Sequence, residues 1–274
     1  MKEKTRNILS IAAPVLLALI LPLCACAAPD RTATEVTVLK IGKADAILIA
    51  LPDAAVLVDA GEDEDAGEIL ENLEKQGIER LDAMIITHFD KDHVGGADGV
   101  LRGVAVEQVV DPQYEKDSTQ YRQYLTALEE TGVPRTRMED GETLSLLDGK
   151  LTVSAASLSA QDDNNRSLCV LLDTGFHCFL LTGDAEEARI DELLAQGLPA
   201  CDVVKLPHHG RWKENLPALL DATMPRAAIL CDSEKNPAEE ETLALLQARG
   251  IAAYQTQYGD IRITSDEEGL TIRQ

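Results

Sequence analysis

Aromatic side chains are scarce in this chain of 274 residues: three Phe, five Tyr and one Trp, 3% of the total. A core built from it must rest on Leu, Ile, Val and Ala. Positive charge is scarce too. Lys and Arg number 25 against 48 Asp and Glu, a formal net charge of −23. Three of those bases (Lys2, Lys4, Arg6) and one acid (Glu3) lie in the first seven residues, and without them the net charge is −25. Such a surface repels phosphate polymers and excludes a non-specific nucleic-acid coat protein. No apolar run is long enough to span a membrane. Ile8 to Leu23 is interrupted by Ser10, Pro14 and Pro22 and falls short of the ~20 residues required. There is no internal repeat and no low-complexity tract. The 45% hydrophobic content exceeds what a disordered chain carries, and the length suits one large domain or two small ones.

Residues 1–25 read as a lipoprotein signal peptide: a basic start, a short apolar stretch, then Leu23-Cys24-Ala25-Cys26. This ending resembles the bacterial lipobox, with Cys26 as the lipid-bearing residue. The expectation is export and lipid anchoring on the outer face of a bacterial cytoplasmic membrane. The alternative is plain secretion after cleavage near Ala27-Ala28. Residues 26–35 form a linker, and residues 36–274 one domain. The remaining cysteines, Cys169, Cys178, Cys201 and Cys231, lie in strand-like apolar runs without CxxC spacing and read as small buried hydrophobes. A Cys169–Cys178 bridge is disfavoured, because a turn at Thr174-Gly175 sets Cys178 opposite Leu171.

Short apolar runs alternate with amphipathic segments. Strands are expected at Val36–Ile41, Ala46–Leu51, Ala55–Asp59, Leu81–Thr87, Val104–Val110, Leu151–Ala155, Leu168–Leu172, His177–Leu181, Val203–Leu206 and Ala227–Leu230, with two more at the end. Helices are expected at Ala66–Gln76, Ser118–Glu130, Ala185–Gln196 and Ala238–Arg249. The pattern is mixed α/β, with sheet faces to cover on both sides.

Four of the five histidines follow directly after apolar strands, beside carboxylates. One cluster is Thr87-His88-Phe89-Asp90-Lys91-Asp92-His93-Val94-Gly95-Gly96; another is Lys205-Leu206-Pro207-His208-His209-Gly210. Between them Leu180-Leu181-Thr182-Gly183-Asp184 again ends a strand in a tight turn. Imidazoles and carboxylates brought that close repel or stay unsatisfied without a cation, and both are ligands of Zn²⁺ and its neighbours. Gly95 and Gly96 are expected to permit backbone turns and close approach to a ligand.

The string His88-x-Asp90-x-Asp92-His93-x-Gly-Gly resembles the signature of the metallo-β-lactamase fold family. Val58-Asp59-Ala60-Gly61 resembles its first motif, Asp184 its bridging acid, and His208 or His209 its last ligand. The resemblance implies a four-layer αββα sandwich and a hydrolase. Leu39 to Ala46, Asn164 to Leu168 and Lys205 to Gly210 resemble in particular the hydrolase domain of the DNA-uptake competence protein ComEC. Departures from the pattern are the missing mid-chain His, near whose place Asn165 stands, Arg211 where Ser is frequent, and Lys43-Ala44 in place of Gln-Gly.

The resemblance implies two divalent metal ions, Zn²⁺ by expectation with Mn²⁺ admitted by the oxygen-rich donor set. Site one takes His88, Asp90 and Asp184; site two takes Asp92, His93, Asp184 and one of His208 and His209. We assign His208 to the metal, and His209 with Asp92 to catalysis. Asp59 orients a ligand, while Asn165 and Arg211 face substrate. A hydroxide held between the ions is the expected nucleophile. The expected substrate is a phosphodiester, DNA or an envelope phosphoester, and no obligate protein partner is inferred. The alternative is a lipoprotein that binds metal or an envelope component without turnover.

Overall fold

The computed structural model describes residues 31–157 and 162–274. The expected signal peptide, the start of the expected linker and Cys26, the expected lipidation residue, lie outside the described residues. Along the chain the strands are β1 (Thr34–Val38), β2 (Ile47–Ala50), β3 (Ala55–Val58), β4 (Arg80–Leu81), β5 (Ala83–Ile85), β6 (Ala105–Val106), β7 (Val109–Pro112) and β8 (Arg135–Met138). They continue as β9 (Thr143–Leu146), β10 (Leu151–Ser154), β11 (Cys169–Asp173), β12 (Cys178–Leu181), β13 (Val203–Lys205), β14 (Ala227–Leu230), β15 (Ala252–Gln255), β16 (Ile261–Asp266) and β17 (Gly269–Arg273). The helices are α1 (Ala66–Lys75), α2 (Lys91–Val94), α3 (Ala97–Gly103), α4 (Thr119–Thr131), α5 (Glu187–Gln196), α6 (Leu216–Thr223) and α7 (Glu240–Ala248).

One sheet runs β17-β16-β1-β2-β3-β5-β7-β8 and the other β15-β14-β13-β12-β11-β10-β9. Alternate residues of each sheet meet in a shared core: Val36, Ile47, Ile49, Val56 and Val58 from one, Val153, Val170, Leu172, Phe179 and Leu181 from the other. The opposite faces carry the helices. Leu48 and Leu57 pack with α1, α3 and α4 residues such as Leu73, Leu101 and Tyr124. Leu180, Val204 and Ala228 pack with α5, α6 and α7 residues such as Ile190, Leu219 and Leu246. Strands covered on both faces read as unbroken apolar runs, which is why they stand out in the sequence. The expected four-layer αββα sandwich is the fold.

Several local expectations are corrected. The run Leu81–Thr87 is split: Arg80–Leu81 pairs with Ala105–Val106 in a separate two-stranded sheet, and only Ala83–Ile85 enters the large one. The β11–β12 hairpin pairs Asp173 with Cys178 and Leu171 with Leu180, because its loop takes Thr174 to His177. His177 therefore lies in that loop, its Nδ1 2.8 Å from Ser265 Oγ. Three strands finish the chain instead of two. The termini expected for α4 are present: the Ser118 hydroxyl accepts from the Tyr121 N–H at 3.1 Å, worth about 1 kcal/mol, and Gly132 closes the helix at φ +67°.

Candidate metal centre

In both sheets the chemistry gathers beyond the C-terminal ends of parallel strands. β3 leads to Asp59, β5 to His88, and β12 and β13, which run parallel, to Asp184 and to His208-His209. This is where open parallel sheets leave a crevice and unpaired backbone.

Three of the nine aromatics pack together here. Phe89, fully buried, stacks against Tyr114 and Tyr121 with ring centroids 4.7 and 4.5 Å away, and its N–H donates to Tyr114 Oη at 2.8 Å. Residues 88 to 93 are thereby fixed at the base of the loop. Gly95 and Gly96 act differently from expectation. Both are right-handed helical, at φ −55° and −81°, so neither makes a turn. A Cβ on Gly95 would lie 2.7 Å from Asp63 N, and one on Gly96 2.3 Å from Ala60 O. Their close approach is to the chain's own loop after β3, not to a ligand.

A hydrogen-bond relay sets the two imidazoles. The Thr87 N–H and hydroxyl donate to the two oxygens of Asp59 at 2.7 and 2.8 Å. With its proton committed, Thr87 Oγ1 accepts from His88 Nδ1 at 3.1 Å, and Asp59 Oδ2 accepts from His93 Nδ1 at 2.8 Å. Both rings are left with Nε2 facing inward, the atom that would bind a metal once free of its proton, the arrangement by which carboxylates orient metal-binding histidines. Asp59 itself is strained, at φ +59°.

The inward atoms converge. His93 Nε2 lies 3.3 Å from Asp184 Oδ1, His209 Nε2 3.1 Å from Asp184 Oδ2 and 3.5 Å from Asp92 Oδ2. Ligand atoms of His88, His93 and Asp184 lie within 4.8 Å of one another, as do those of Asp92, His93 and His209. His88 Nε2, His93 Nε2, His209 Nε2 and Asp184 Oδ1 are buried and find no hydrogen-bond partner within the chain. Each such orphan costs about 1–3 kcal/mol, and a divalent cation in either group would satisfy the atoms that converge there. The donor set therefore fits the metal that the motifs imply.

The electrostatics agree. Burial alone would raise Asp184, but His93 and His209 outweigh it and hold the carboxyl well below its usual range. Burial opposes charge on His209 and His93 as well, yet the surrounding acids, Asp184 foremost, push His209 up to about 10 and His93 well above an ordinary imidazole. Burial and neighbouring His93 keep His88 well below its ordinary value, in the neutral form that ligates. The pocket demands positive charge.

The remaining candidates sit further out. Asp90 is about one-third exposed, its Oδ2 3.9 Å from His88 Nε2, and its Oδ1 is held by Lys116. His208 Nε2 lies 3.9 Å from Asp184 Oδ2, while its Nδ1 is paired with Glu186. Of the adjacent histidines, His209 joins the buried group and His208 does not. The backbone decides this: both adopt left-handed conformations, φ +46° and +58°, before Gly210 at +84°. Non-glycine residues held there cost about 1–3 kcal/mol each, strain typical of functional sites. The Asn165 amide is committed, accepting from the Arg189 N–H at 3.0 Å and donating to Asp162 at 2.7 Å. Arg211 is exposed next to the pair. A groove of about 630 Å³ opens beside the centre, lined by Asp90, Lys116, Asp163, Asn165, Glu186 and Glu187, among others.

Three site residues carry no role in the sequence reading. Lys205 is fully buried, paired with Asp45, and its Nζ lies 2.8 Å from Gly183 O and 3.6 Å from Asp184 Oδ1. Lys43 reaches Asp92 at 2.7 Å. The available signal was a charged residue inside an apolar run, as in Val203-Val204-Lys205-Leu206 and Ala44-Asp45-Ala46, since such residues are rarely buried without a partner.

The sequence profile of the Metallo-beta-lactamase superfamily matches residues 40–231. The chain is 28% identical over 249 residues to "Recombination protein 2" of Haemophilus influenzae, covering 88% of this chain and 30% of that one. It is 28% identical over 253 residues to "ComE operon protein 3" of Bacillus subtilis, covering 83% and 32%. It thus spans just under a third of the length of these relatives. Among solved structures it resembles the metallo-beta-lactamase fold protein YhfI from Bacillus subtilis, with a TM-score of 0.58 at 10% identity, covering 81% of this chain and 95% of that one.

Proposed function

Because the chain belongs to the metallo-β-lactamase superfamily, a superfamily of metallo-hydrolases, we propose that it cleaves phosphodiesters, as an exported lipoprotein anchored through Cys26. The observation that carries the reading is the convergence of buried ligand atoms from His88, His93, Asp184 and His209 at the ends of separate strands. These residues, with Asp92, would hold the divalent ions, Zn²⁺ or Mn²⁺. When bound, such ions supply an acidified water and offset charge developing on phosphoryl oxygens. The chain's own residues prepare that chemistry. Thr87 and Asp59 fix the tautomers of His88 and His93, and buried Phe89 anchors their loop. His208, tied through Nδ1 to Glu186, keeps Nε2 on the cleft side to exchange a proton with the leaving oxygen.

Relatives named for recombination and competence support a nucleic-acid-type bond. Charge supports a short substrate. Arg102, Arg122 and Arg135 are engaged by Asp98, Asp117 and Asp111, and Lys213 by Glu186. No continuous basic track for a long duplex is left by these residues, and the net charge repels one. The test is hydrolysis of bis(p-nitrophenyl) phosphate by ion-loaded protein with and without EDTA, then a panel of dinucleotides and envelope phosphoesters. Chelator-sensitive turnover that Asp184→Ala abolishes is expected. Ion-loaded protein inert toward every ester would overturn the reading and leave binding without turnover. Lysines on Asp90, Asp92 and Asp184 favour that second reading. For the anchor, Cys26→Ser should release the protein from the membrane fraction.

A further inference from the structure

Lys43 Nζ lies 2.7 Å from Asp92 Oδ2. That oxygen also faces His209 Nε2 at 3.5 Å, so an ammonium sits on a lone pair belonging to the Asp92–His93–His209 group of ligand atoms. The buried centre presents four carboxylates, Asp45, Asp59, Asp92 and Asp184, against two ammonium groups, Lys43 and Lys205. With the imidazoles neutral, as ligation of a metal requires, the shortfall is two charges, which one divalent ion cancels. Adding Asp90 with its partner Lys116 leaves the shortfall unchanged. The two lysines differ in freedom. Lys205 is enclosed between Asp45 and Asp184, whereas Lys43 follows Gly42, a left-handed turn residue, and its side chain is 30% exposed. It can swing into solvent without stranding a buried charge.

We infer that Lys43 is a built-in competitor for the second cation. Its ammonium holds Asp92, so the centre takes one divalent ion firmly, on the His88–His93–Asp184 side, and admits another only when Lys43 swings out. This rests on the metal-centre reading and sets how that centre loads. An ammonium and a metal ion cannot share one carboxylate oxygen at contact distance, and their mutual repulsion within a few ångströms weakens whichever binds second.

The experiment titrates chelator-stripped, dialysed protein with Mn²⁺, reading bound metal by elemental analysis and the spin state by electron paramagnetic resonance. Wild type is expected to keep one Mn²⁺ per chain with an isolated-ion spectrum, its second ion binding at least about tenfold more weakly. Lys43→Gln, and independently Lys43→Ala, should bind two with a spin-coupled spectrum, while Lys43→Arg should behave as wild type. Unchanged thermal melting of the metal-free variants shows that the fold is kept. Identical loading of wild type and both neutral variants would overturn the inference and leave the metal centre standing. No bound ion in any of them would remove both.

Discussion

Asp59 Oδ2 accepts a hydrogen bond from His93 Nδ1 at 2.8 Å, although the two residues lie 34 positions apart. This one contact gives the β3 loop a role in the centre and leaves His93 Nε2 facing inward. Asp59→Asn keeps the shape but removes an acceptor charge that steers the ring. Such changes typically cost about 10–100-fold in metal affinity. The measurement is competition for Zn²⁺ against a chromophoric chelator. Unchanged affinity would mean that the ring is oriented by packing alone.

The adjacent histidines should separate cleanly. His209→Ala removes a buried nitrogen 3.1 Å from Asp184 and should abolish or severely weaken ion binding. His208→Ala removes a ring tied to Glu186 and should leave ion content intact while slowing turnover by about 10²–10⁴-fold. Elemental analysis beside initial rates reads the two effects independently. Equal metal loss in both variants would make the pair joint ligands.

Acid should weaken the cleft wall in a defined window. Burial alone would raise Glu186, but hydrogen bonds from His208 and Lys213 hold it down at about 2, against an ordinary 4.5. A carboxylate with a depressed folded value stabilises the fold above its unfolded value, and that stability is lost as pH falls from about 4.5 through about 2. Thermal midpoints of wild type and Glu186→Gln, measured in chelator, should differ near neutral pH and converge toward pH 2. A gap that persists at the acid end would point to packing instead of charge.

Cys178, on β12, and Cys201, two residues before β13, have sulfurs 2.9 Å apart. Oxidised glutathione should convert the pair to a disulfide by thiol exchange. The two thiol hydrogens are lost and one equivalent of disulfide oxidant is reduced to its thiols. Cys169 and Cys231, buried, should remain thiols. Peptide mapping of the oxidised protein reads this directly, and a mapped Cys169–Cys178 link would contradict the pairing.

The ligand-bearing strand ends were legible because each couples two strong local signals, an unbroken apolar run and a burst of His and Asp. Longer-range features were not. The choice between His208 and His209 depends on two left-handed backbone conformations that no side chain advertises. Lys205 meets Asp45 across 160 positions, a pairing that no window of sequence displays. In sequence the glycine pair after His93 signals conformational freedom, whereas its function in the fold is the absence of a Cβ against Ala60 and Asp63. Helix α6 lacks a side-chain cap and charged termini, and strand β8, Arg135–Met138, is polar enough to read as loop.

The Lys205–Asp45 pair joins one layer of the sandwich to the turn that feeds the other, directly beneath the reacting atoms. Prying the layers apart there would strand an ammonium and a carboxylate in an apolar interior, at several kcal/mol each. The floor of the cleft is thus riveted. Entry and exit of ligands fall to the rim, and the protein has to reshape its edges around a guest while its bed stays still.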